Sequence, residues 1–299
     1  MSSIKNHDFS QVKNAIVGGT LYLVATPIGN LADLSERAIK VLSEVDFIAA
    51  EDTRNSQKLL SVLGISKPMV SYFEHNKRER GEQIIERLQA GESCALVTDA
   101  GTPAVSDPGA DLVVLCAERG VSVTSIPGCC AAITALTLSA LPTGRFTFEG
   151  FLSTNKAERR EHLDSLKGEK RTMILHEAPH KLRTTLSDLA EAFGGSRRIS
   201  LCRELTKLNE QVERTTLAGA IEIYTAKEPR GEYVLVIEGA SESAESGAFW
   251  QEMSIPAHVQ YYVDTGMSEK DAIKAAAKDR GVHKNEVYSV VVEQKNAQK

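Results

Sequence analysis

The chain has 299 residues, 42% of them hydrophobic and 25% charged, and a formal net charge of −5. That length exceeds one small core and suits two domains plus an appendage. The mild acidity argues against a protein that coats nucleic acid non-specifically, and no apolar run reaches the roughly 18 residues of a membrane span.

Residues 1–19 lack the apolar centre of a secretory signal, so a flexible extension and a cytoplasmic location are expected. Residues 20–25 alternate into an apolar strand that ends at the turn Thr26-Pro27-Ile28-Gly29-Asn30. A helix follows, with Leu34, Ala38 and Leu42 at i, i+4 and i+8. Residues 47–50 read as a short strand running into Glu51-Asp52-Thr53-Arg54, and residues 56–63 as a helix stopped by Gly64. The strand over 68–72 ends in Phe73-Glu74-His75-Asn76, and the helix over 80–90 closes at Gly91. Residues 94–97 are apolar and read as a buried strand. They feed a loop, 98–109, made almost entirely of Asp, Gly, Thr, Pro and Ser. A helix over 110–119, a strand over 121–126 and a helix over 130–139 complete the first half.

Strand and helix in alternation predict a mostly parallel sheet. Each polar cluster falls at the carboxyl end of its strand, where open α/β sheets bind small molecules. A crevice there gathers residues 27–30, 51–54, 74–76 and 99–103. Small residues in such a loop let a ligand approach the backbone. Gly101 is expected to be bare for that reason.

Leu141-Pro142-Thr143-Gly144 breaks the pattern, and a second α/β domain with more antiparallel pairing is expected over 145–240. It begins at residues 146–152 and reads as strands over 172–176, 199–202 and 232–238 and a helix over 182–193. Residues 156–214 hold 13 Lys/Arg against 10 Asp/Glu, so a local basic face sits in an acidic chain. Residues 240–247 look like a linker. Beyond it, Ser268 can cap a helix, with Asp271 three residues on, that runs to Arg280 and stops at Gly281. A second helix over 284–292 would make a pair resembling a helix-turn-helix. Contact with nucleic acid and simple packing are both open readings of that tail. The expected domains are thus 20–144, 145–240 and a tail over 241–299.

Several familiar sites are absent. There is no phosphate loop and no G-x-G-x-x-G fingerprint, no G-x-S-x-G elbow, and no HExxH or paired CxxC to hold a metal. The five cysteines, Cys94, Cys116, Cys129, Cys130 and Cys202, are odd in number and form no CxxC, against a disulfide framework. Cys94 and Cys116 read as small buried hydrophobes. What remains is a cofactor held by backbone and small side chains, with no metal.

Five motifs occur in register: Val24-Ala25-Thr26-Pro27-Ile28-Gly29-Asn30-Leu31; Glu51-Asp52-Thr53-Arg54; Glu74-His75-Asn76; Asp99-Ala100-Gly101-Thr102-Pro103 with Ser106-Asp107-Pro108-Gly109; and Arg203-Glu204-Leu205-Thr206-Lys207. Together they resemble the ribosomal RNA small-subunit methyltransferase I family, among the tetrapyrrole-methylase-like, class III methyltransferases. The resemblance covers about residues 20–239. It implies a two-domain tetrapyrrole-methylase-like α/β fold with a cofactor cleft between the domains and a small helical appendage. It implies S-adenosylmethionine as methyl donor and, usually, a homodimer. It also implies 2′-O-methylation of a cytidine in the decoding region of 16S ribosomal RNA, on naked RNA or on the 30S-type subunit.

The donor is then expected on Pro27, Asp99, Gly101, Thr102, Pro103 and Val105, with Cys130 and Ala131 nearby. A ribose hydroxyl is a poor nucleophile, so a base helps. The clusters Glu51/Arg54 and Glu74/Asn76 are the expected catalytic groups, with Asp52, His75, Glu177 and Glu204 as further candidate bases. Lys156, Arg159, Arg160, Arg203 and Lys207 are the expected RNA contacts. The chain departs from the family at three places. His176 replaces the usual tyrosine, Pro127-Gly128-Cys129-Cys130 replaces Pro-Gly-Pro-Ser, and Lys181 replaces an arginine, removing a two-pronged phosphate contact there. A tetrapyrrole acceptor, and a non-catalytic ribosome-binding protein on the same scaffold, are the competing readings. The basic stretch and the tail favour RNA over a tetrapyrrole; the retained polar clusters favour catalysis.

Overall fold

Four-residue runs without a polar side chain form the middle of the first sheet. β2 (Phe47–Ala50) and β4 (Cys94–Val97) are buried along their whole length. With β1 (Thr20–Val24), β3 (Met69–Ser71) and β5 (Ser122–Ile126) they make the order β3-β2-β4-β1-β5. All of its pairings are parallel, and parallel strands need cover on both faces. The helices α1 (Glu36–Glu44), α2 (Thr53–Val62), α3 (Lys77–Gln89) and α4 (Gly109–Glu118) supply it. Ile48 and Ala50 pack with Ala38, Val41, Leu42 and Leu60 on one face. Phe47 and Ala49 pack with Ile84, Ile85, Leu88 and Leu112 on the other. The two-residue period of a strand makes that division. α2 starts earlier than its apolar pattern because Asp52 caps it, accepting from the Arg54 amide at 2.8 Å.

The computed structural model describes residues 15–240, 250 and 253–297. Residues 241–247 of the expected linker over 240–247, and residues 1–14 of the expected extension, lie outside them. The described chain divides into two compact units, with the boundary in the sequence between Gly239 and Ala240.

The second sheet belongs to the same unit as the first. Its strands are β6 (Phe146–Gly150), β7 (Thr172–Glu177), β8 (Arg198–Arg203), β9 (Gln211–Thr216) and β10 (Tyr233–Ile237), in the order β6-β7-β10-β8-β9. Only β6 and β7 pair in parallel; the other pairings are antiparallel. α7 (Leu182–Phe193) and α8 (Leu217–Ala226) cover one face, with Leu186, Leu189, Leu217 and Tyr224 against Met173, Leu175, Leu201 and Leu235. α5 (Ala131–Leu138) follows the last strand of the first sheet, yet Ala135 and Leu136 pack on Ile174, Cys202, Val234 and Val236 of the second. One helix thereby joins the two halves. α6 (Lys156–Ser165), β9 and α8 have no counterpart in the sequence pattern.

The second unit differs from the expected helix pair. It holds three helices among the described residues: α9 (Ile255–Asp264), α10 (Glu269–Arg280) and α11 (Lys284–Ala297). Ala272, Ile273, Ala276 and Ala277 of α10 are buried with Val259, Val287 and Val291, so the apolar face of α10 is used inside the unit. The Ser268 cap forms as read. Its hydroxyl accepts from the Asp271 amide at 3.3 Å and donates to Asp271 Oδ2 at 2.7 Å. Ser268→Ala is expected to cost the unit about 1 kcal/mol, measured by denaturant melting of the full chain. An unchanged midpoint would contradict this role for the cap. Among the described residues no helix is long and apolar enough to cross a membrane.

Candidate functional site

The loop after β4 is held in shape by backbone and side-chain bonds. Gly101 sits at φ +87, with its N–H bonded to the Thr26 carbonyl at 3.0 Å and its carbonyl accepting from the Thr26 amide at 2.9 Å. A Cβ at Gly101 would meet Ile28 Cγ2 at 3.4 Å and the Cys129 carbonyl at 3.6 Å, which are ordinary contacts. The left-handed backbone, rather than lack of room, requires glycine here. Thr102 Oγ1 donates to the Cys129 carbonyl at 2.8 Å. Asp107 Oδ1 accepts from the amides of Ala104 at 3.0 Å and Gly109 at 2.8 Å, closing the loop where α4 begins.

This loop opens on a cavity of about 250 Å³ that both sheets line. The first half contributes Ile28, Glu51, residues 98–102 and 105–107, and residues 130–132 at the start of α5. Phe148, Phe151 and His176 come from β6, the residue beyond it and β7. Among the described residues no Lys or Arg lines the cavity, while Glu51, Asp99 and Asp107 do. Burial raises the Glu51 pKa above the usual carboxylate range, and the Asp99 and Asp107 charges add to the effect. Asn55 Nδ2 donates to Asp99 Oδ2 at 3.1 Å. His176 stands edge-on to Phe148 and Phe151, with ring centroids 5.2 and 5.4 Å away. Its buried Nε2 has no hydrogen-bond partner among the described residues, and burial holds its pKa below the ordinary histidine value.

The structure gathers some of the expected residues and separates others. Glu51, Asp99, Gly101, Thr102, Val105, Cys130 and Ala131 line the cavity; Pro27 and Pro103 do not. Pro103 is buried and Pro27 half-buried. The Glu51/Arg54 cluster is split. Arg54 is exposed and ion-paired at 2.7 Å with Asp52, whose carboxyl this pairing holds at about 2. Glu74 also lies outside the lining, 2.7 Å from Lys77, which reaches Asp111 at 2.7 Å. Asn76 supports the turn after β3. Its Oδ1 accepts from the Phe73 amide at 2.8 Å and its Nδ2 donates to the Ser71 carbonyl at 3.1 Å. Sequence reasoning missed Phe148 and Phe151, which belong to the other sheet. It noted His176 only as a substitution.

Lys156, Arg159 and Arg160 line a second, wider groove of about 690 Å³ between α6 and α7, with Lys167, His180 and Lys181. Arg159 is held by the fold. It donates to Asp188 Oδ2 at 2.6 Å and to Thr185 Oγ1 at 2.8 Å. Arg203 and Lys207 lie outside this groove. Arg203 donates to the Arg230 and Asn209 carbonyls, and the Lys207 ammonium joins Glu204 and Glu232, each at 2.9 Å. Among the described residues no group of His, Cys, Asp or Glu is arranged to hold a metal ion.

Residues 20–221 match the family model of the tetrapyrrole (corrin/porphyrin) methylases. Over 273 residues the chain is 47% identical to ribosomal RNA small subunit methyltransferase I of Halalkalibacterium halodurans, covering 91% of this chain and 94% of that protein. The chain belongs to the small subunit methyltransferase I family. The family member of Escherichia coli O157:H7 is 41% identical over 281 residues, covering 92% of this chain and 96% of that one. The methylase fold extends to more distant solved structures. Uroporphyrin-III-C-methyltransferase from Thermus thermophilus matches with a TM-score of 0.53 and 18% identity, over 74% of this chain and 94% of that one. A cobalt precorrin-4 methyltransferase matches with a TM-score of 0.54 and 17% identity, over 74% and 95%. The expected tetrapyrrole-methylase-like α/β architecture is thus the one this methylase adopts, with its two sheets in one compact unit.

Proposed function

We propose that the chain transfers a methyl group from S-adenosylmethionine to the ribose 2′-hydroxyl of a cytidine in small-subunit ribosomal RNA. The observation that carries this reading is 41–47% identity, over 91–92% of the chain, to proteins named ribosomal RNA small subunit methyltransferase I. The cavity's chemistry fits the donor. A lining with three carboxylates and no Lys or Arg suits a ligand bearing a sulfonium and an ammonium group. When bound, S-adenosylmethionine supplies a methyl group on a positively charged sulfur. The 98–107 loop, Ile28, Cys130 and Ala131 would hold it. The competing tetrapyrrole reading has behind it the name of the family model and distant structures that share the fold at 17–18% identity.

The chain's own part is to orient the hydroxyl and take its proton. Glu51 is the proposed acceptor, since it lines the cavity and its burial makes the carboxylate a stronger base. Glu51→Gln is expected to lower kcat about 100-fold, with donor affinity changed far less. Because the folded pKa is raised, neutral Glu51 is favoured by folding. That stability is present below the ordinary carboxylate pKa and lost as pH rises through the folded value. Glu51→Gln should therefore also raise the melting temperature at neutral pH. Unchanged turnover would remove Glu51 from this role.

For RNA, the proposed phosphate contacts are Lys156 and Arg160, with Lys167 and Lys181, in the α6–α7 groove. A homodimer is part of the same proposal, tested by light scattering on the purified chain. The deciding experiment offers tritiated donor with 30S-type subunits, naked 16S RNA or free tetrapyrroles. Label is expected in a ribose of the RNA. Label only in tetrapyrroles, or no transfer, would overturn the reading.

A further inference from the structure

We propose that Phe151 is the platform on which the base of the target nucleotide stacks, making it a specificity residue for the RNA. This rests on the functional reading above. β6 presents its aromatics in two different ways. Phe148 is half-buried against the core that α5 covers. Phe151, just past the strand, is 60% exposed and lines the cavity. The pairing with β7 slips in register between Phe148 and Gly150, and Gly150 takes φ +62. A bulge of this kind re-aims the side chain that follows it. His176 braces the ring edge-on, at 78° between planes.

A 2′-hydroxyl can enter the cavity only if its nucleotide is splayed from the strand, and the base then lies within one nucleoside's breadth of the reacting oxygen. Proteins that act on or read such bases stack them on aromatic rings. An exposed phenylalanine at that position, set by a left-handed glycine, is the surface such a base requires.

The test uses the full chain, 30S-type subunits and labelled donor, with donor affinity measured separately by calorimetry. Phe151→Ala is expected to raise KM for subunits about tenfold, with kcat and donor affinity little changed. Phe151→Trp should restore KM, and Val62→Ala, an exposed apolar residue that does not line the cavity, should match the wild type. The proposal fails if Phe151→Ala weakens donor binding in parallel, if KM for subunits does not move, or if tryptophan fails to rescue. Transfer by the wild type is read first. Its absence would overturn the functional reading itself, whatever the variants do.

Discussion

Replacing Gly101 by valine is expected to weaken donor binding by about 100-fold or more, measured by titration calorimetry. The graded series is what makes the result informative. Alanine at φ +87 meets only ordinary contacts, so its cost is the left-handed backbone alone, about 1–2 kcal/mol. That corresponds to roughly 5- to 30-fold in affinity if the loop gives way instead. Valine adds a branched side chain to a conformation such residues avoid, beside Ile28 Cγ2 at 3.4 Å and the Cys129 carbonyl at 3.6 Å measured from the Cβ position. The cheapest escape is to release the two bonds to Thr26, which moves both Ile28 and the 98–102 stretch at the cavity. A valine variant that binds the donor like the wild type would show that this loop does not hold it.

Two adjacent arginines should behave in opposite ways. Arg159 is largely buried, paired with Asp188 and donating to Thr185, which in turn donates to Glu177. Thr185 and Glu177 are both buried. Arg159→Ala strands these groups and is expected to cost about 2–3 kcal/mol, below the fully buried range because Asp188 keeps partial contact with water. The melting temperature should fall by roughly 5–10 °C. Arg160 is 83% exposed and lies 3.9 Å from Asp164, a pair of little energetic weight. Arg160→Ala should leave the melting temperature alone, weaken RNA binding and reduce its salt slope by about 1, measured by filter binding across ionic strength. If both variants melt alike, the fold does not distinguish them and the Arg159 network contributes nothing.

The first sheet was legible because its central strands β2 and β4 are buried on both faces. Runs such as Phe47–Ala50 and Cys94–Val97 contain no polar residue to disguise them. The second half was harder to read for physical reasons. α6 buries only Leu163, so it shows no apolar stripe. β9 is an edge strand with no buried residue, its sequence Gln-Val-Glu-Arg-Thr-Thr lacking a core face. α8 is apolar around most of its circumference and contains Gly219, which hides its period. Of the site, the loop chemistry at residues 99–102 was visible because turn-forming residues cluster at a strand end. The aromatic wall was not, since Phe148, Phe151 and His176 reach the cavity only once the second sheet has been placed. Asn76 and Glu74 stand outside the cavity lining, and a turn support and a surface ion pair carry the same residue types as a catalytic cluster.

A Cβ on Gly29 would collide with Lys207 Cγ and lie 3.0 Å from Thr206 Oγ1 and 3.1 Å from the Leu205 carbonyl. The turn after β1 and the segment after β8 therefore touch backbone to stem, with the lysine pinned beyond by two glutamates. A methyl added at residue 29 therefore forces the Lys207 stem, or the strand exit that carries Ile28, to give way.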